Sequence, residues 1–324
     1  MGFKTSVIIV SYNNFDTTTG PCLESLFADT TDPGREIILI DNASQDDTPK
    51  KLEEQVSGRS DVRVVLNDAN RGFAGGNNDG ANIARGEILI LLNSDTRVPA
   101  DAMGKLSRML SDHPDWGMLG PVTNEAGNEQ KIFVESLEPE RIIREGDGWC
   151  SHSRGDCFSS ERLDFFCVAV RKTDYEKLGG LDEQFGPGYY EDTDFSIRAK
   201  RAGLNMIFTE DVFIYHKAGK SFSKMGRKYV KNLMRENRKK LEKKHPGRVE
   251  LHHIRDRNMH VMNQYVLLKK DVGGVEDAAL AYKFDNRLKL ARTMNPGNPL
   301  KKLIYRGRLN RLCSKFSAGA NRSS

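Results

Sequence analysis

No apolar run in this sequence approaches the length of about 20 residues that a membrane-spanning helix needs. The amino-terminal residues also lack the basic-then-apolar layout of a secretory signal peptide. We therefore expect a cytoplasmic protein. A chain of 324 residues can bury a substantial core, so one large domain with an appendage is expected rather than several small domains.

Cysteine is scarce. The five cysteines are odd in number and widely spaced, and no two of them form a C-x-x-C pair. Disulfide and zinc frameworks both depend on paired or clustered cysteines. The sequence therefore predicts reduced thiols, with neither kind of framework.

Acidic residues become scarce after residue 216. Residues 217–324 carry 28 Lys and Arg against 8 Asp and Glu, a net charge of +20. Residues 1–216 carry 22 against 37, a net charge of −15. A basic appendage on an acidic body favours contact with an anionic surface, either phospholipid headgroups or nucleic acid. The alternative is a set of solvated helices with basic outer faces.

Four short apolar runs, each followed by polar side chains, are typical of buried strands. They occupy residues 5–11, 36–40, 62–66 and 88–92, and helical patterns separate them. This alternation predicts an α/β fold with a mainly parallel central sheet, flanked by helices and joined by right-handed crossovers. The run 88–92 has no polar residue, which indicates a strand buried on both faces. We expect the polar ends of all four strands at one rim.

The turn Asn93-Ser94-Asp95 follows the last of these runs. Strands of a parallel sheet present their carboxyl ends to a ligand crevice. A carboxylate and an amide carbonyl at that place offer oxygen ligands to a divalent cation that holds a substrate phosphate. An ordinary turn that caps the next helix is the alternative.

A glycine-rich segment at residues 70–80 follows the third run. Its glycines lie at 72, 75, 76 and 80, so the G-x-G-x-x-G spacing of dinucleotide-binding folds is absent. The segment offers a backbone that can approach a diphosphate, Arg71 as a fixed cation, and a helix amino terminus near Gly76. A flexible turn without a ligand is the alternative.

Two further stretches carry candidate functional residues. The pattern of residues 191–202 predicts a helix whose first turn holds Glu191 and Asp192, where the helix dipole favours carboxylates. Capping alone would also explain them. His216 comes at the end of a short strand and is either a ligand or a structural hydrogen-bonding residue. Residues 122–161 have no clear periodicity and are predicted to form a mobile loop beside a second substrate.

Four motifs together resemble the inverting family 2 glycosyltransferases, in particular their rhamnosyltransferase-like branch. The motifs are S-V-I-I-V-S-Y-N at 6–13, I-D-N-A-S at 40–44, N-R-G-F-A-G-G-N-N at 70–78 and L-L-N-S-D-T at 91–96. Four motifs in register are far more specific than any one of them. The resemblance covers roughly residues 4–245.

The resemblance implies a GT-A fold, the nucleotide-diphospho-sugar transferase fold. It divides the chain into a GT-A domain at 1–245 and a basic, mostly helical carboxyl-terminal extension at 246–324. Within the domain, residues 1–121 would bind the nucleotide sugar and residues 122–245 would form the acceptor side.

The resemblance also implies roles for individual residues. Those expected to contact the donor are Tyr12, Asn13, Asp41, Asn42, Arg71, Gly72, Asn77, Asn93 and Ser94. Asp95 and His216 would bind the metal, Mn²⁺ or Mg²⁺, and an imidazole among oxygens favours Mn²⁺. The family's commonest acidic signature has a carboxylate where this chain has Asn93, which leaves one negative charge fewer. Asp192 would deprotonate the acceptor hydroxyl while Glu191 orients the acceptor.

The expected activity is transfer of a sugar from a nucleotide-diphosphate donor to a glycan or lipid-linked acceptor, with inversion, in the synthesis of a surface polysaccharide of the O-antigen or capsule type. The basic extension would make peripheral contact with the cytoplasmic face of the membrane, and nucleic acid is a disfavoured partner. One alternative is a nucleotidyltransferase, although the basic signature it needs near the first strand is absent. Another is a non-catalytic protein that binds glycan or nucleic acid through the basic tail.

Overall fold

The computed structural model of the chain describes residues 4–32, 34–218, 226–247, 253–269 and 275–318. The strands are β1 (Thr5–Ser11), β2 (Arg35–Asp41), β3 (Val62–Leu66), β4 (Ile88–Asn93), β5 (Thr96–Arg97), β6 (Trp116–Val122), β7 (Cys157–Ser160), β8 (Cys167–Arg171), β9 (Asn205–Phe213) and β10 (Tyr215–His216). The helices are α1 (Thr19–Ala28), α2 (Thr48–Val56), α3 (Gly72–Ile83), α4 (Ala102–Asp112), α5 (Pro139–Ser151), α6 (Lys172–Lys177), α7 (Glu191–Arg201), α8 (Arg227–Lys244), α9 (Ile254–Leu268), α10 (Val275–Thr293) and α11 (Pro299–Ala318).

Eight of these strands form one mixed sheet in the order β3-β2-β1-β4-β8-β6-β9-β7. The four amino-terminal strands of this sheet, β3, β2, β1 and β4, run parallel to one another, as the alternating pattern predicted. Strand β8 then lies antiparallel between β4 and β6. Two short strands, β5 and β10, pair antiparallel as a separate ribbon. The predicted α/β fold with a mainly parallel central sheet is confirmed, since four of the seven strand pairs in this sheet are parallel.

Apolar side chains cover both faces of the central strand β4. Leu89 and Leu91 belong to the core on one face, while Ile88, Ile90 and Leu92 belong to the core on the other. All five side chains are at most 3% exposed. This burial confirms the interpretation of the all-apolar run as a strand covered on both sides.

The prediction of a structureless loop at residues 122–161 is wrong. Helix α5 and strand β7 lie within it. The helix was not predicted because Gly146 lies inside it, and glycine is a poor helix former. The fold needs glycine there: a Cβ atom at Gly146 would lie 2.0 Å from a ring carbon of Phe213 in β9. Trp149 of the same helix is fully buried, so it packs locally rather than contacting a ligand.

Other boundaries differ from expectation by a few residues. Helix α3 begins at Gly72 rather than near Gly76, so the glycines at 75 and 76 lie inside the helix. There they allow close packing, since a Cβ atom at Gly76 would lie 2.8 Å from Val10 of β1. Helix α9 lies within the extension that was expected to be mostly helical.

Helices α9 and α10 pack against the sheet through a buried cluster of charges. Glu210 of β9 accepts a short hydrogen bond from the Tyr265 hydroxyl and lies 2.9 Å from Lys283 Nζ and 3.0 Å from Arg287 Nη2. All four side chains are fully buried. Glu210 therefore offsets two cations that have no access to water, and Asp156 Oδ2 adds a second carboxylate 3.2 Å from Lys283 Nζ.

Because of this cluster, Glu210→Gln is expected to lower the free energy of unfolding by about 3–5 kcal/mol, the usual result of leaving buried charges without their partner. Urea denaturation measures the change. Lys289→Ala is the control, since its ion pair with Glu135 is exposed and is expected to contribute at most about 1 kcal/mol. Equal effects of the two substitutions would contradict a stabilising role of the cluster.

Candidate active site

The polar ends of three neighbouring strands meet at one rim of the sheet. Ser11, the last residue of β1, is in register with Asp41 of β2, and Val10 is in register with Asn93 of β4. The strands are parallel, so their carboxyl ends point the same way. The expected common rim is therefore present for these strands.

The ribbon of β5 and β10 brings His216 back to this rim. His216 pairs with Thr96, directly after the Asn93-Ser94-Asp95 turn. As a result His216 Nε2 lies 3.3 Å from Asp95 Oδ1 and 3.5 Å from Asn93 Nδ2. Residues more than 120 positions apart in the chain thus form one polar group.

Contacts on both sides of the ring orient His216. Its Nδ1 lies 2.9 Å from the backbone oxygen of Glu125, which can only accept, so Nδ1 carries the proton and Nε2 faces Asp95. The ring stacks on Phe166 with the centroids 5.4 Å apart. Burial acts to lower the pKa of His216, but the hydrogen bond and the charge of Asp95 outweigh it and raise this pKa.

This arrangement suits a divalent cation. Two ligand atoms that each lie about 2.1 Å from one ion at right angles are about 3 Å apart, close to the Asp95–His216 distance of 3.3 Å. Metal-ligating histidines usually donate their second N–H to a carbonyl or carboxylate, as His216 does. Within the described part of the chain, no group of three His, Cys, Asp or Glu side chains could hold a metal. The other ligands would therefore be oxygen atoms of amides, water or a substrate diphosphate.

A cavity of about 470 Å³ opens beside His216. Asn93 and His216 line one part of it, and Glu191 and Asp192 from the start of α7 line another. His216, one of the two metal-ligand candidates, and Asp192, the base candidate, therefore face one space, and Asp95 contacts this space only through His216.

Glu191 and Asp192 differ in environment. Glu191 is 7% exposed, and its Oε2 atom is buried without a hydrogen-bond partner. Burial, reinforced by the negative charge of Asp192, raises the pKa of Glu191 to about 8. Asp192 is half-buried, and its Oδ1 accepts hydrogen bonds from the Thr193 backbone N–H at 2.6 Å and the Thr193 hydroxyl at 3.1 Å. At neutral pH, Glu191 is therefore a neutral hydrogen-bond donor.

The Glu191 pKa predicts a pH effect on stability. A carboxyl whose pKa is raised by folding stabilises the protein below its unfolded pKa and loses this contribution as the pH rises through the folded value. Glu191→Gln removes the titration, so the melting temperature of the wild type should fall relative to that of this variant between pH 5 and about 8. Thermal denaturation across this range measures it. Glu53→Gln, in which an exposed carboxyl of α2 is changed, should show no such divergence.

Some predicted donor-side residues are already engaged in contacts within the rim. Both carboxylate oxygens of Asp41 accept from Ser44, at 2.6 and 2.9 Å. Asn13 accepts from the Gln45 backbone at 2.7 Å. Asn42 is 2% exposed and bonds to the backbone of residues 71 and 72, at 3.0 Å in both cases. Asn42 thus fixes the start of α3, while Tyr12 and Ser94 are half-buried at the rim.

The remaining donor-side candidates, Arg71, Gly72 and Asn77, do not line the described cavity. The Arg71 guanidinium pairs with Asp79 and lies 2.8 Å from Glu183 Oε2, so internal carboxylates already offset its charge. Asn77 is 1% exposed and donates to the Phe73 carbonyl at 2.8 Å. Their contact with a diphosphate or sugar remains a prediction.

Sequence reasoning missed several cavity residues. Arg162 and Asp164 form an ion pair of 3.0 Å there, and Glu125, Tyr189 and Tyr190 complete much of the wall. Burial, together with the charge of Asp192, raises the pKa of Asp164 although Arg162 opposes the shift. The structure explains their position: β8 lies antiparallel beside β4, so the residues before β8 lie at the rim where β4 ends.

Comparison with solved structures identifies the fold. The mannosyltransferase PcManGT of Pyrobaculum calidifontis, solved with GDP-Man and Mn²⁺, superposes with a TM-score of 0.53 at 17% identity, over 98% of this chain and 86% of that one. GalNAc-T7, solved with UDP, GalNAc and Mn²⁺, gives a TM-score of 0.54 at 19% identity, over 66% of this chain and 44% of that one. The fold is the GT-A fold of nucleotide-sugar transferases, as predicted.

Sequence comparison gives the family. The family model described as "Glycosyl transferase family 2" matches residues 6–165. Residues 6–165 therefore belong to glycosyltransferase family 2, which confirms the expected resemblance at family level.

Two curated relatives match a similar share of the chain. The low-salt glycan biosynthesis hexosyltransferase Agl10 of Haloferax volcanii is 23% identical over 209 residues, which cover 62% of this chain and 63% of the relative. An uncharacterized glycosyltransferase of Haemophilus influenzae is 25% identical over 195 residues, 60% of either chain. The matched region thus spans about three fifths of these relatives.

Proposed function

We propose that the protein transfers a sugar from a nucleotide-diphosphate donor to a glycan or lipid-linked acceptor, with inversion and with a divalent cation. One observation carries the proposal: Asn93, His216 and Asp192 line the same cavity of about 470 Å³. That volume falls in the usual range for small-molecule sites. Family membership and the GT-A fold support the donor class.

Asp192 acts as the base in this proposal. An acceptor hydroxyl is a poor nucleophile, so a carboxylate within hydrogen-bond reach takes its proton as the oxygen attacks the anomeric carbon. The bond from that carbon to the diphosphate breaks, and the nucleoside diphosphate leaves with the electron pair. Attack from the face opposite the leaving group in one displacement inverts the anomeric centre.

The charged side chains around the cavity have separate roles in this reaction. Asp95 and His216 would hold a divalent cation, Mn²⁺ in preference to Mg²⁺, which supplies positive charge to the leaving diphosphate. Glu191, kept neutral by burial, donates a hydrogen bond that orients the acceptor. It also avoids a second negative charge beside Asp192, which would compete for the same proton. Each carboxyl therefore has a separate role.

One relative supports the biological setting that we propose. Agl10 is described as a hexosyltransferase of glycan biosynthesis. We infer a hexosyl donor and a surface polysaccharide product for this chain, in a rhamnosyltransferase-like reaction at the cytoplasmic face of a membrane. Within the described residues, no helix is long and apolar enough to cross a bilayer.

Helix α11 is the proposed contact with that membrane. Leu300, Leu303 and Ile304 at its start are 66%, 69% and 56% exposed. The helix carries six Lys and Arg and no acidic residue. Exposed apolar side chains flanked by cations suit an anionic bilayer surface. Tyr305, Leu309 and Phe316 of the same helix are buried, so its opposite side packs against the protein.

Vesicle flotation tests the membrane contact. The wild type is expected to bind phosphatidylglycerol vesicles and not phosphatidylcholine vesicles, and Leu303→Glu should abolish binding. Leu137→Glu is the matched control, because Leu137 is 92% exposed and precedes α5 rather than lying in α11. Equal binding of both variants would refute this surface.

Thermal-shift screening of nucleotide sugars, with and without Mn²⁺, tests the donor assignment. A ligand that binds only the native state raises the melting temperature, by an amount that grows with its concentration over Kd. We expect one nucleotide class to stabilise the protein only when Mn²⁺ is present. No shift with any nucleotide sugar, or identical shifts with and without Mn²⁺, would contradict the proposal.

A further inference from the structure

The turn that precedes the base, Gly186 to Tyr190, is conformationally unusual. Gly186 and Gly188 have φ values of +70° and +157°, and Tyr189 and Tyr190 follow with +72° and +78°. Two successive left-handed tyrosines cost energy, because only glycine adopts that region without a steric penalty. Such conformations persist where surrounding contacts determine them. The contacts that hold this turn therefore place α7 and Asp192.

One side chain of α8 supplies these contacts. Asn237 is fully buried, and its Nδ2 lies 2.7 Å from the Phe185 oxygen and 3.0 Å from the oxygens of both Gly188 and Tyr189. Three backbone carbonyls converge on this atom, and each of them can only accept. The amide NH₂ must therefore face them, which fixes the orientation of the side chain.

The same helix also contacts α7 itself. Asp194 is fully buried, and its Oδ1 lies 2.8 Å from both Lys244 Nζ and His245 Nε2 at the end of α8. Helix α8 thus holds the base-bearing segment at two places, before and after Asp192. Two separated contacts fix direction as well as position.

The start of α3, in the part of the chain expected to bind the nucleotide sugar, contacts the other side of the same turn. A Cβ atom at Gly72 would lie 2.1 Å from the Gly186 oxygen, so the two backbones are in direct contact. Phe73 N–H donates to the Pro187 oxygen at 3.4 Å. The turn therefore lies between the start of α3 and Asn237, with no room to shift toward α3.

We propose that Asn237 is a positioning residue for glycosyl transfer. By holding the left-handed Gly188–Tyr190 turn, its amide sets the position of Asp192 in the cavity, although Asn237 itself does not line the cavity. This inference rests on the proposed role of Asp192 as the base. A displaced base loses rate steeply, since misplacement by about 1 Å can cost on the order of 100-fold.

Asn237→Leu tests the proposal, because leucine has a similar size and donates no hydrogen bond. We expect kcat to fall at least tenfold while the Kd for the nucleotide sugar changes less than twofold, since the hydrogen bonds of Asn237 go to residues 185, 188 and 189 and to none of the predicted donor-side residues. Amide hydrogen exchange of residues 186–192 should become at least tenfold faster. Asn237→Ser retains one hydrogen-bond donor, so its kcat and its exchange rates should lie between those of the wild type and those of Asn237→Leu. This variant replaces Asn237→Leu if Asn237→Leu does not fold.

Glu236→Leu is the control, since Glu236 is the exposed neighbour of Asn237 on the same helix and should alter neither readout. Unchanged kcat and unchanged exchange in the Asn237 variants would overturn the proposal, as would a lower melting temperature with wild-type kcat. A wild type without transferase activity would refute the proposed function instead. The exchange measurement would still report whether Asn237 holds the turn.

Discussion

Asp192→Asn is expected to reduce sugar transfer by a factor of about 10²–10⁴, the usual contribution of a general base. The substitution keeps the shape of the side chain, and the hydrogen bonds from Thr193 to Oδ1 can persist. It removes only the ability to take a proton. Donor affinity should therefore stay at the wild-type value.

Two measurements separate these expectations. A transfer assay gives kcat, and calorimetric titration with the nucleotide sugar gives Kd in the presence of Mn²⁺. Glu191→Gln serves as the neighbouring control, because Gln mimics the neutral carboxyl that burial favours at that position. Parallel loss of kcat and donor affinity in Asp192→Asn would remove the base assignment, and full activity would do the same.

Asp95→Ala is expected to abolish the metal-dependent part of donor affinity. Asp95 supplies the only carboxylate within 4.0 Å of His216 among the described residues, so its removal leaves one of the two predicted ligands. His216→Ala should have the same effect, and the double variant should be no worse than either single variant. Such non-additivity is typical of residues that act as one unit.

Titration of donor binding with Mn²⁺, before and after chelation by EDTA, measures this effect. The wild type should lose affinity by at least about tenfold on chelation, whereas Asp95→Ala and His216→Ala should bind weakly under both conditions. His113→Ala is the histidine control, because His113 is exposed and stacks on Trp116. Metal-dependent binding that survives Asp95→Ala would refute the ligand assignment.

Local patterns predicted the part of the fold that local physics controls. The all-apolar run ending at Asn93 identified the buried strand, and each following polar turn identified the rim. Helix α5 escaped prediction because Gly146 is required by Phe213, which lies 67 positions later in the chain. A distant side chain decided that residue, so no local pattern could reveal it.

In the candidate site, too, local motifs predicted some residues, while others depend on contacts between distant parts of the chain. Asp95, His216 and Asp192 came from motifs, because each motif implies a strand end or a helix start at the rim. Arg162 came only from the structure, since the antiparallel placement of β8 is a tertiary feature. The Arg71 pairing with Glu183, across 112 positions of the chain, likewise could not be foreseen from a glycine-rich segment.

The central claim is that Asp95, His216 and Asp192 surround one pocket that holds a metal and an activated sugar. Anomalous diffraction at the manganese edge, from crystals grown with Mn²⁺ and a nucleoside diphosphate, tests this claim most directly. The account predicts one strong peak in contact with Asp95 and His216, on the wall of the cavity that Asp192 lines. A peak bound elsewhere, or a diphosphate in a cavity without Asp192, would contradict it.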